Sequence, residues 1–272
     1  MDRLNLSPPY HKNAVKPQPN IPLANVTTAA LAIHPKLTKQ AYRIRYDAYH
    51  SSGNLASLPD QIFHDKYDCQ PNFRTALVFK DDVAAATVRI GLYQPPTPEC
   101  AEYKLPVMEI FGSEIEAILS RLTISRNMPA AVEIGRLARS PAFEDDSRLV
   151  FALFRVAGYA ILHFDADVVF NAVRVHHIPM YRRFGFQQLG EPRLYPGLTC
   201  KMGLMACFRP SYATARSSLP FLRGISKDDA AYAGLIAGER VAIFGDNAPS
   251  AVRPAGPVVP LSQTPDGLRN CA

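Results

Sequence analysis

The sequence contains no tryptophan and no two cysteines at CxxC spacing. Its five cysteines are scattered along 272 residues, at Cys69, Cys100, Cys200, Cys207 and Cys271. An odd and scattered set argues against a disulfide framework and against a structural zinc site. We therefore expect reduced, mostly structural thiols and no bound metal.

Long apolar runs are scarce as well. The longest, "LVFALFRVAGYAILHF" (149–164), is interrupted by Arg155 and is short for a membrane span. The first 20 residues carry charges and prolines where a secretion signal needs an apolar run. With 47% hydrophobic residues the chain can form a sizeable core. We expect a cytoplasmic protein, and peripheral contact with a membrane surface stays open.

Basic residues exceed acidic ones, giving a formal net charge of +6, and they are concentrated in the middle and C-terminal half. The basic residues there are Arg136, Arg139, Arg148, Arg155, Arg174, Arg182, Arg183, Arg193 and Lys201. No zinc finger or RNP-type aromatic motif accompanies them, so we expect no nucleic-acid partner. Anionic lipid, an acidic protein or ordinary solvation remain as explanations of this charge.

Hydrophobic periodicity predicts alternating strands and helices. "KLTKQAYRIRYDAYHSS" (36–52) has helical spacing, and "FRTALVFK" and "VAAATVRIGL" flank the turn "DD" as a β-hairpin. "DVVFNAV" is a continuous apolar run typical of a buried central strand. It follows a long helix whose start we expect Asp145 or Asp146 to cap. The predicted order is strand, helix, hairpin, helix, strand, long helix, strand, helix and two strands.

Composition divides the chain into four segments. Residues 1–26 are predicted to be a flexible N-terminal arm, and residues 27–210 the folded domain. Residues 211–244 are predicted to be a helical extension, with one helix over 226–244. Residues 245–272 carry repeated prolines and are predicted to be a flexible tail.

The segment "AVEIGRLARS" (131–140) reads as a strand, yet it places Glu133 and Arg136 an odd number of residues apart. Strand side chains alternate between faces, so these two charges would lie on opposite sides of the sheet. A β-bulge adds one residue and resets the alternation, and Gly135 is the residue type that tolerates such a backbone. The spacing predicts a bulge at this point on the fourth strand.

The element order is that of the GNAT acyltransferase fold. Four short segments in that order, "RYDAY" (45–49), "DKYD" (65–68), "TVRI" (87–90) and "EIGR" (133–136), resemble the signature of acyl-homoserine-lactone synthases and of the related N-acyl amino acid synthases. The resemblance covers roughly residues 28–208. It implies an α/β (α+β) domain in which helices flank a central mixed, mostly antiparallel, twisted sheet.

These segments contain three cationic and three anionic residues: Arg45, Asp65, Asp68, Arg89, Glu133 and Arg136. If they are buried they should pair, since isolated buried charges cost several kcal/mol. For Arg45, Asp65 and Asp68, substrate binding and a purely structural role in fixing the loop both remain open. For Glu133 and Arg136, beside the bulge, we favour function.

The resemblance implies a reaction in which an amine attacks an acyl thioester. Glu133 is then the candidate proton acceptor, and the backbone N–H around Leu137 the candidate oxyanion donor. Arg89 and Arg136 are candidates for holding the carboxylate of an amino-acid acceptor. The later segment "YRRFGF" (181–186) resembles the GNAT motif whose tyrosine protonates the leaving thiolate. Tyr181 is therefore a candidate general acid, with simple packing of its helix as the alternative.

In the GNAT acyltransferases that this chain resembles, the coenzyme-A-dependent members share a glycine-containing loop. The loop holds the pyrophosphate at a helix N-terminus. Here the matching stretch, "RSPAFEDDSRL", has no glycine and three acids. We therefore expect acyl-phosphopantetheine presented by an acyl carrier protein as donor, with no tightly bound cofactor. Arg139, Arg182 and Arg183 are the predicted docking residues for that acidic carrier.

Three departures separate this chain from the lactone synthases that it resembles: it lacks tryptophan, Phe63 stands two positions before Asp65, and the strand reads "EIGR". We favour transfer of a long-chain acyl group to a free amino acid. The alternatives are a lactone synthase using S-adenosylmethionine, a coenzyme-A-dependent N-acetyltransferase and a non-catalytic acyl-binding module. The sequence fixes neither the amino acid nor the acyl chain length.

Overall fold

The structure, a computed structural model, describes residues 26–96, 102–125 and 128–244. Its strands are β1 (Thr27–Leu31), β2 (Phe73–Lys80), β3 (Val83–Leu92), β4 (Ala131–Arg139), β5 (Val168–Arg174), β6 (Gln187–Leu194), β7 (Lys201–Phe208) and β8 (Val241–Phe244). Its α-helices are α1 (Pro35–Ser51), α2 (Met108–Ser125), α3 (Arg148–His163), α4 (Ile178–Arg183), α5 (Arg209–Ser218) and α6 (Ala230–Ile236). The predicted N-terminal arm and C-terminal tail lie almost wholly outside the described residues.

All eight strands form one sheet in the order β6-β7-β5-β4-β3-β2-β1-β8. Among the described residues every neighbouring pair is antiparallel except β4 with β5. The predicted mixed, mostly antiparallel sheet flanked by helices is therefore confirmed. None of the described helices is both long and apolar enough to cross a bilayer.

Helix α3 covers one face of the sheet and is buried on most of its circumference. Its residues Leu149 and Leu153 pack in the largest core cluster with Val132 and Ile134 of β4. A helix that is apolar nearly all round needs a second partner. The segment after β7 supplies it, because Phe221 stacks on Phe151 at 4.8 Å between ring centroids.

The predicted bulge is present on β4. Gly135 is opposite Arg89 and Ala138 is opposite Thr87, so β4 has one residue more than β3 over this stretch. As a result, Ile134 packs on the α3 side, whereas Ala138 packs with α1 on the other side. The left-handed residue is Arg136 (φ 52°), and the expectation that Gly135 supplies the unusual backbone is wrong.

Strands β4 and β5 pair only from Ala131 with Val168 to Glu133 with Phe170. Beyond that point the two strands continue, to Arg139 and Arg174, without pairing with each other. The strands therefore separate at the bulge and leave an opening in the middle of the sheet.

The predicted single helix over 226–244 is wrong. The segment forms the short helix α6 and then strand β8, which pairs with β1 at the sheet edge. Val241 and Ile243 are buried there. A strand of four residues has little periodicity of its own, and pairing with β1 decides its conformation.

Cys69 is disulfide-bonded, so the expectation of reduced thiols is wrong at this position. Spacing along the chain says nothing about which sulfurs fold close together. Cys200 and Cys207 are free thiols, and Cys207 is buried.

Candidate active site

Five of the predicted charged residues form one connected group, here called the charged network: Arg45, Asp65, Asp68, Arg89 and Arg136. Helix α1 supplies Arg45, whose Nη1 lies 2.7 Å from Asp68 Oδ1. Strand β3 supplies Arg89, whose Nη1 lies 2.6 Å from Asp65 Oδ1 and 3.2 Å from Asp68 Oδ2. Strand β4 supplies Arg136, whose Nη2 lies 2.7 Å from Asp65 Oδ2. Each arginine thus contacts an aspartate of the "DKYD" loop.

The loop fixes its aspartates before they meet the arginines. Asp65 Oδ1 accepts from the Tyr67 N–H at 3.0 Å, and Asp68 Oδ2 accepts from the Asp65 N–H at 3.0 Å. Such side-chain to backbone bonds close a tight turn. Burial raises the pKa of both carboxyls, but the neighbouring guanidinium groups outweigh it and hold both pKa values below their usual range. Both aspartates therefore remain charged.

Burial within the network separates structural charges from accessible ones. The side chains of Arg45 and Asp68 are fully buried, and Arg89 is nearly so. Burial lowers the pKa of Arg45 although Asp68 opposes the shift, while for Arg89 the two aspartates outweigh burial and raise the pKa. These three residues line neither of the two cavities described below, and the Arg89 guanidinium is already paired with Asp65 and Asp68.

Glu133 lies beside the network rather than within it. Its Oε2 accepts from the Val107 N–H at 3.1 Å, and the residue is 4% exposed. Burial raises the pKa of Glu133 to about 7, against the opposing effects of Arg89, the Val107 N–H and Arg136. A carboxylate with a pKa near neutrality can take up and release a proton at working pH.

Gly135 explains how a buried carboxylate stays close to a cavity. A Cβ atom at this position would come within 3.2 Å of Glu133 Oε1, so glycine leaves room for the carboxylate. Gly135 itself lines the opening between β4 and β5. Close approach of the Glu133 carboxylate favours glycine at position 135, whereas the sequence predicted that Gly135 supplies an unusual backbone.

The opening between β4 and β5, here called the cleft, has a volume of about 360 Å³. Leu137, Leu153, Phe154 and Met202 contribute apolar walls. Charged and titratable side chains on the lining are Arg136, Arg139, Glu144, Arg174 and His177. Cations therefore exceed acids around an interior with a large apolar part.

A second cavity of about 280 Å³, here called the polar pocket, is lined by Asp65, Lys66, Tyr67, Pro106, Glu109, Arg136, Tyr195 and Pro196. Arg136 lines both cavities. Its guanidinium lies over the Phe63 ring at 4.6 Å and near the Tyr195 ring at 5.7 Å. Aromatic rings and Asp65 together fix the guanidinium of Arg136, a residue that both cavities share.

Sequence reasoning missed most of the polar pocket. Glu109 Oε1 lies 2.6 Å from Lys66 Nζ and accepts from the Tyr67 hydroxyl at 2.7 Å. Lys66 and Tyr67 lie inside the "DKYD" segment and could have been noticed there. Glu109 and Tyr195 come from distant segments without any local motif, and only the fold brings them together.

Tyr181 of α4 lines the cleft and is otherwise buried. Burial raises the pKa of its hydroxyl above the usual range although a side-chain hydrogen bond with Asn171 opposes the shift, so the hydroxyl keeps its proton at neutral pH. It also packs edge-on against Phe154 at 5.5 Å. The acid role and the packing role are therefore compatible in one side chain. Asn171, a buried polar residue of β5, was not predicted.

The three predicted docking residues lie on elements that form the cleft. Arg139 lines it, and its Nη1 donates to the Asp146 carbonyl at 3.0 Å. Arg182 and Arg183 follow Tyr181 on α4 and are exposed. Arg182 also bonds Gln188 at 2.9 Å.

The N-terminus of α3 is already occupied by an acid. Its N-cap residue is Ser147, without a side-chain cap bond, so the predicted cap at Asp145 or Asp146 is wrong in position. Asp146 Oδ1 nevertheless accepts from the Arg148 N–H at 3.1 Å, and its Oδ2 meets the Lys80 ammonium group. A carboxylate at the first N–H of a helix opposes the binding of another anion there.

The sequence model of the N-acyl amino acid synthase FeeM family matches residues 40–207. No curated protein sequence matches the chain. Among solved structures, FeeM, an N-acyl amino acid synthase from uncultured soil microbes, aligns with a TM-score of 0.57 at 17% identity, covering 71% of this chain and 96% of its own. This likeness establishes a shared fold.

Two further structures align less well. The acyl-homoserine-lactone synthase LasI has a TM-score of 0.47 at 14% identity, covering 66% of this chain and 88% of its own. A putative N-acetyltransferase from Lactobacillus plantarum has a TM-score of 0.45 at 12% identity, covering 68% of this chain and 99% of its own.

Proposed function

Because the chain belongs to the FeeM family of N-acyl amino acid synthases and is an acyltransferase, we propose that it moves a long-chain acyl group from an acyl carrier protein to the amine of a free amino acid. The observation that carries the proposal is the meeting of two unlike cavities at Arg136. A partly apolar cleft suits an acyl thioester, and a pocket with fixed charges suits a small zwitterion.

The acceptor occupies the polar pocket. Its carboxylate meets the guanidinium of Arg136, a residue that lines both cavities, and its amine points towards the bulge. Glu133 takes the proton from the amine, directly or through water, and its pKa of about 7 matches that task. The amine nitrogen then attacks the thioester carbonyl carbon.

The cleft residues complete the transfer. The bulge residues Arg136 and Leu137 have no register partner on β3, and the backbone N–H around Leu137 is the proposed donor to the oxyanion. The carbon–sulfur bond breaks, the leaving thiolate takes a proton from the Tyr181 hydroxyl at the cleft wall, and the extra proton left on the attacking nitrogen returns to the Tyr181 oxygen. An amide product and a free carrier thiol result.

The choice of a carrier protein over coenzyme A rests on charge. A pyrophosphate would need free N–H donors at the start of α3, but Asp146 already accepts from the first of them. A second carboxylate, that of Glu144, lines the cleft. An acyl carrier protein inserts only its pantetheine arm and presents an acidic surface, which Arg139, Arg182 and Arg183 would meet.

Mass spectrometry of a complete reaction tests the proposal. The mixture contains purified protein, carrier protein loaded with a series of acyl chains, the common amino acids and S-adenosylmethionine, with matched acyl-coenzyme A in a parallel reaction. An N-acyl amino acid from the carrier reaction is the expected result. An acyl lactone, product from coenzyme A alone, or neither product nor free thiol contradicts the proposal.

The matched control variant is Glu133→Gln, which has nearly the same shape and retains an oxygen that can accept from Val107. We expect the variant to bind acylated carrier protein without turning it over. Equal product formation by the variant and the wild type would remove Glu133 from the mechanism and favour a different base.

A further inference from the structure

A third and much smaller cavity, here called the inner hollow, shares Phe154 with the cleft and has a volume of about 20 Å³. Its lining is apolar apart from Asn171 and the hydroxyl of Tyr212. Phe184 and Ala157 form part of its wall. A cavity of this volume holds little more than one water, so a larger occupant requires a wall residue to move.

Phe154 separates the inner hollow from the cleft, since its side chain lines both. The ring packs edge-on against Tyr181 at 5.5 Å and against Phe184 at 4.7 Å. Phe154 belongs to α3 and is 8% exposed. A change in the Phe154 rotamer would therefore join the two cavities into one apolar channel along α3.

The far wall of the inner hollow comes from outside the region that matches the family. The match ends at residue 207, whereas Tyr212, Phe221 and Leu222 all follow it. Phe221 contacts Phe184 at 5.3 Å, in addition to its stack on Phe151. This far wall is thus a feature of the chain's own C-terminal extension.

Polar bonds fix the extension against α3. Arg155 Nη1 donates to the Phe221 carbonyl at 3.1 Å and to the Arg223 carbonyl at 2.8 Å, and its Nη2 lies 3.2 Å from Asp229 Oδ2. The Tyr159 hydroxyl donates to the same carboxylate at 2.5 Å. A wall held in this way can set a definite limit to the channel.

We propose that the distal methylenes of a saturated acyl chain enter the inner hollow when Phe154 moves, and that Phe221 and Leu222 set the maximum chain length. The identity of the chain rests on the proposed function; the far wall itself does not. An alkyl chain is the occupant because the lining offers almost no hydrogen-bond partners, and each buried methylene contributes roughly 0.8 kcal/mol.

The test compares kcat/KM across carrier-bound acyl chains that lengthen by two carbons at a time. In Phe221→Ala we expect the preferred chain to lengthen. For the first chain beyond the wild-type optimum, the ratio of kcat/KM to that of the optimum should rise roughly tenfold, as two extra buried methylenes predict. In Ala157→Val, which narrows the inner hollow from α3, the preferred chain should shorten.

Phe151→Ala is the matched control, because Phe151 stacks on Phe221 but lines neither cavity. It removes a neighbouring aromatic ring but no lining residue of the channel, and Arg155 still holds the extension through the Phe221 and Arg223 carbonyls, so its chain-length profile should equal that of the wild type. An unchanged profile in both Phe221→Ala and Ala157→Val overturns the proposal. If Phe221→Ala fails to fold, Phe221→Leu retains an apolar contact and still places a smaller side chain at the end of the channel.

A binding measurement separates this inference from the proposed function. Saturated fatty acids of increasing length displace a fluorescent fatty acid from the purified full chain, and their affinities are compared in the wild type and Phe221→Ala. A longer optimum in the variant supports the inference even if no acyl transfer is detected. Identical optima in the two proteins overturn it even if transfer is observed.

Discussion

The polar pocket and the cleft share Arg136 but use charge in opposite ways. In the polar pocket each charged side chain has a partner, Asp65 with Arg136 and Lys66 with Glu109. Around the cleft, cations exceed the single carboxylate of Glu144. Paired charges hold a fixed shape for a small acceptor, whereas excess positive charge remains available to a large acidic partner that must also leave.

The largest expected effect on activity comes from a change at Glu133. Glu133→Gln removes the proposed base, and we expect kcat to fall by about 10²–10⁴-fold with little change in donor binding. In the wild type, kcat/KM should rise as the pH increases through about 7, because the carboxylate is the active form. Product formation measured across pH checks both effects.

Glu109→Gln is the matched control for that experiment. Glu109 is partly exposed at the pocket wall, and its carboxylate has no part in the proposed proton transfer. This variant should keep the pH dependence of the wild type. A pH profile that survives in Glu133→Gln and disappears in Glu109→Gln would reverse the assignment.

The charged network predicts a large effect on stability rather than on chemistry. Arg45→Met leaves Asp68 buried without its closest partner, and we expect the free energy of unfolding to fall by about 3–5 kcal/mol. The double variant with Asp68→Leu should recover only part of the loss, because Asp68 also accepts from the Asp65 N–H and meets Arg89. Denaturant unfolding measures both quantities.

An exposed pair provides the comparison for the buried one. Arg43 and Asp47 form an ion pair on the surface of α1, with side chains 51% and 38% exposed. Arg43→Met should change the free energy of unfolding by about 0–1 kcal/mol. Equal losses for Arg43→Met and Arg45→Met would mean that burial does not decide the cost.

Glu133 should also make stability depend on pH in the opposite sense to the aspartates. Its folded-state pKa is raised from 4.5 to about 7, so its stabilising contribution is complete below pH 4.5 and is lost as the pH rises through about 7. The lowered pKa values of Asp65 and Asp68 give stability that is lost on acidification.

The stability difference between wild type and Glu133→Gln isolates the first of these contributions. Between pH 4.5 and 8 the wild type should lose about 3 kcal/mol relative to the variant. Parallel stability curves for the two proteins would show that burial does not raise the pKa of this carboxyl.

The smallest expected effect on activity concerns the predicted docking residues of α4. Arg182→Glu and Arg183→Glu should lower kcat/KM with acylated carrier protein by roughly tenfold at low salt, and less at high salt. Transfer from acyl-pantetheine, which lacks the carrier protein, should not change. Arg121→Glu on α2, outside both cavities, is the control, and an equal loss there would deny a specific docking surface.

How much the sequence could predict depended on whether a signal was local. The bulge followed from the odd spacing of Glu133 and Arg136, and the hairpin from two alternating runs around a turn. The charged network followed from balanced charges in segments expected to be buried. For the bulge and the hairpin nearby residues alone limited the solutions, whereas the members of the network were identified through the segments that carry the family resemblance.

The remaining features depend on contacts between distant segments. Glu109 and Tyr195 join the polar pocket only because α2 and the loop after β6 fold against the "DKYD" turn. Strand β8 exists through its pairing with β1. The need for glycine at position 135 became clear only from the position of the Glu133 carboxylate. No spacing or composition in one sequence contains that information.

Strand β8 has a practical consequence for shortening the chain. It covers the outer backbone edge of β1, and a chain cut after β7 would leave that row of N–H and C=O groups open. Open strand edges pair readily with other copies. A protein cut after residue 207, where the family match ends, would therefore keep its charged network and yet tend to aggregate, so a low soluble yield would reflect the open edge of β1 rather than a damaged active site.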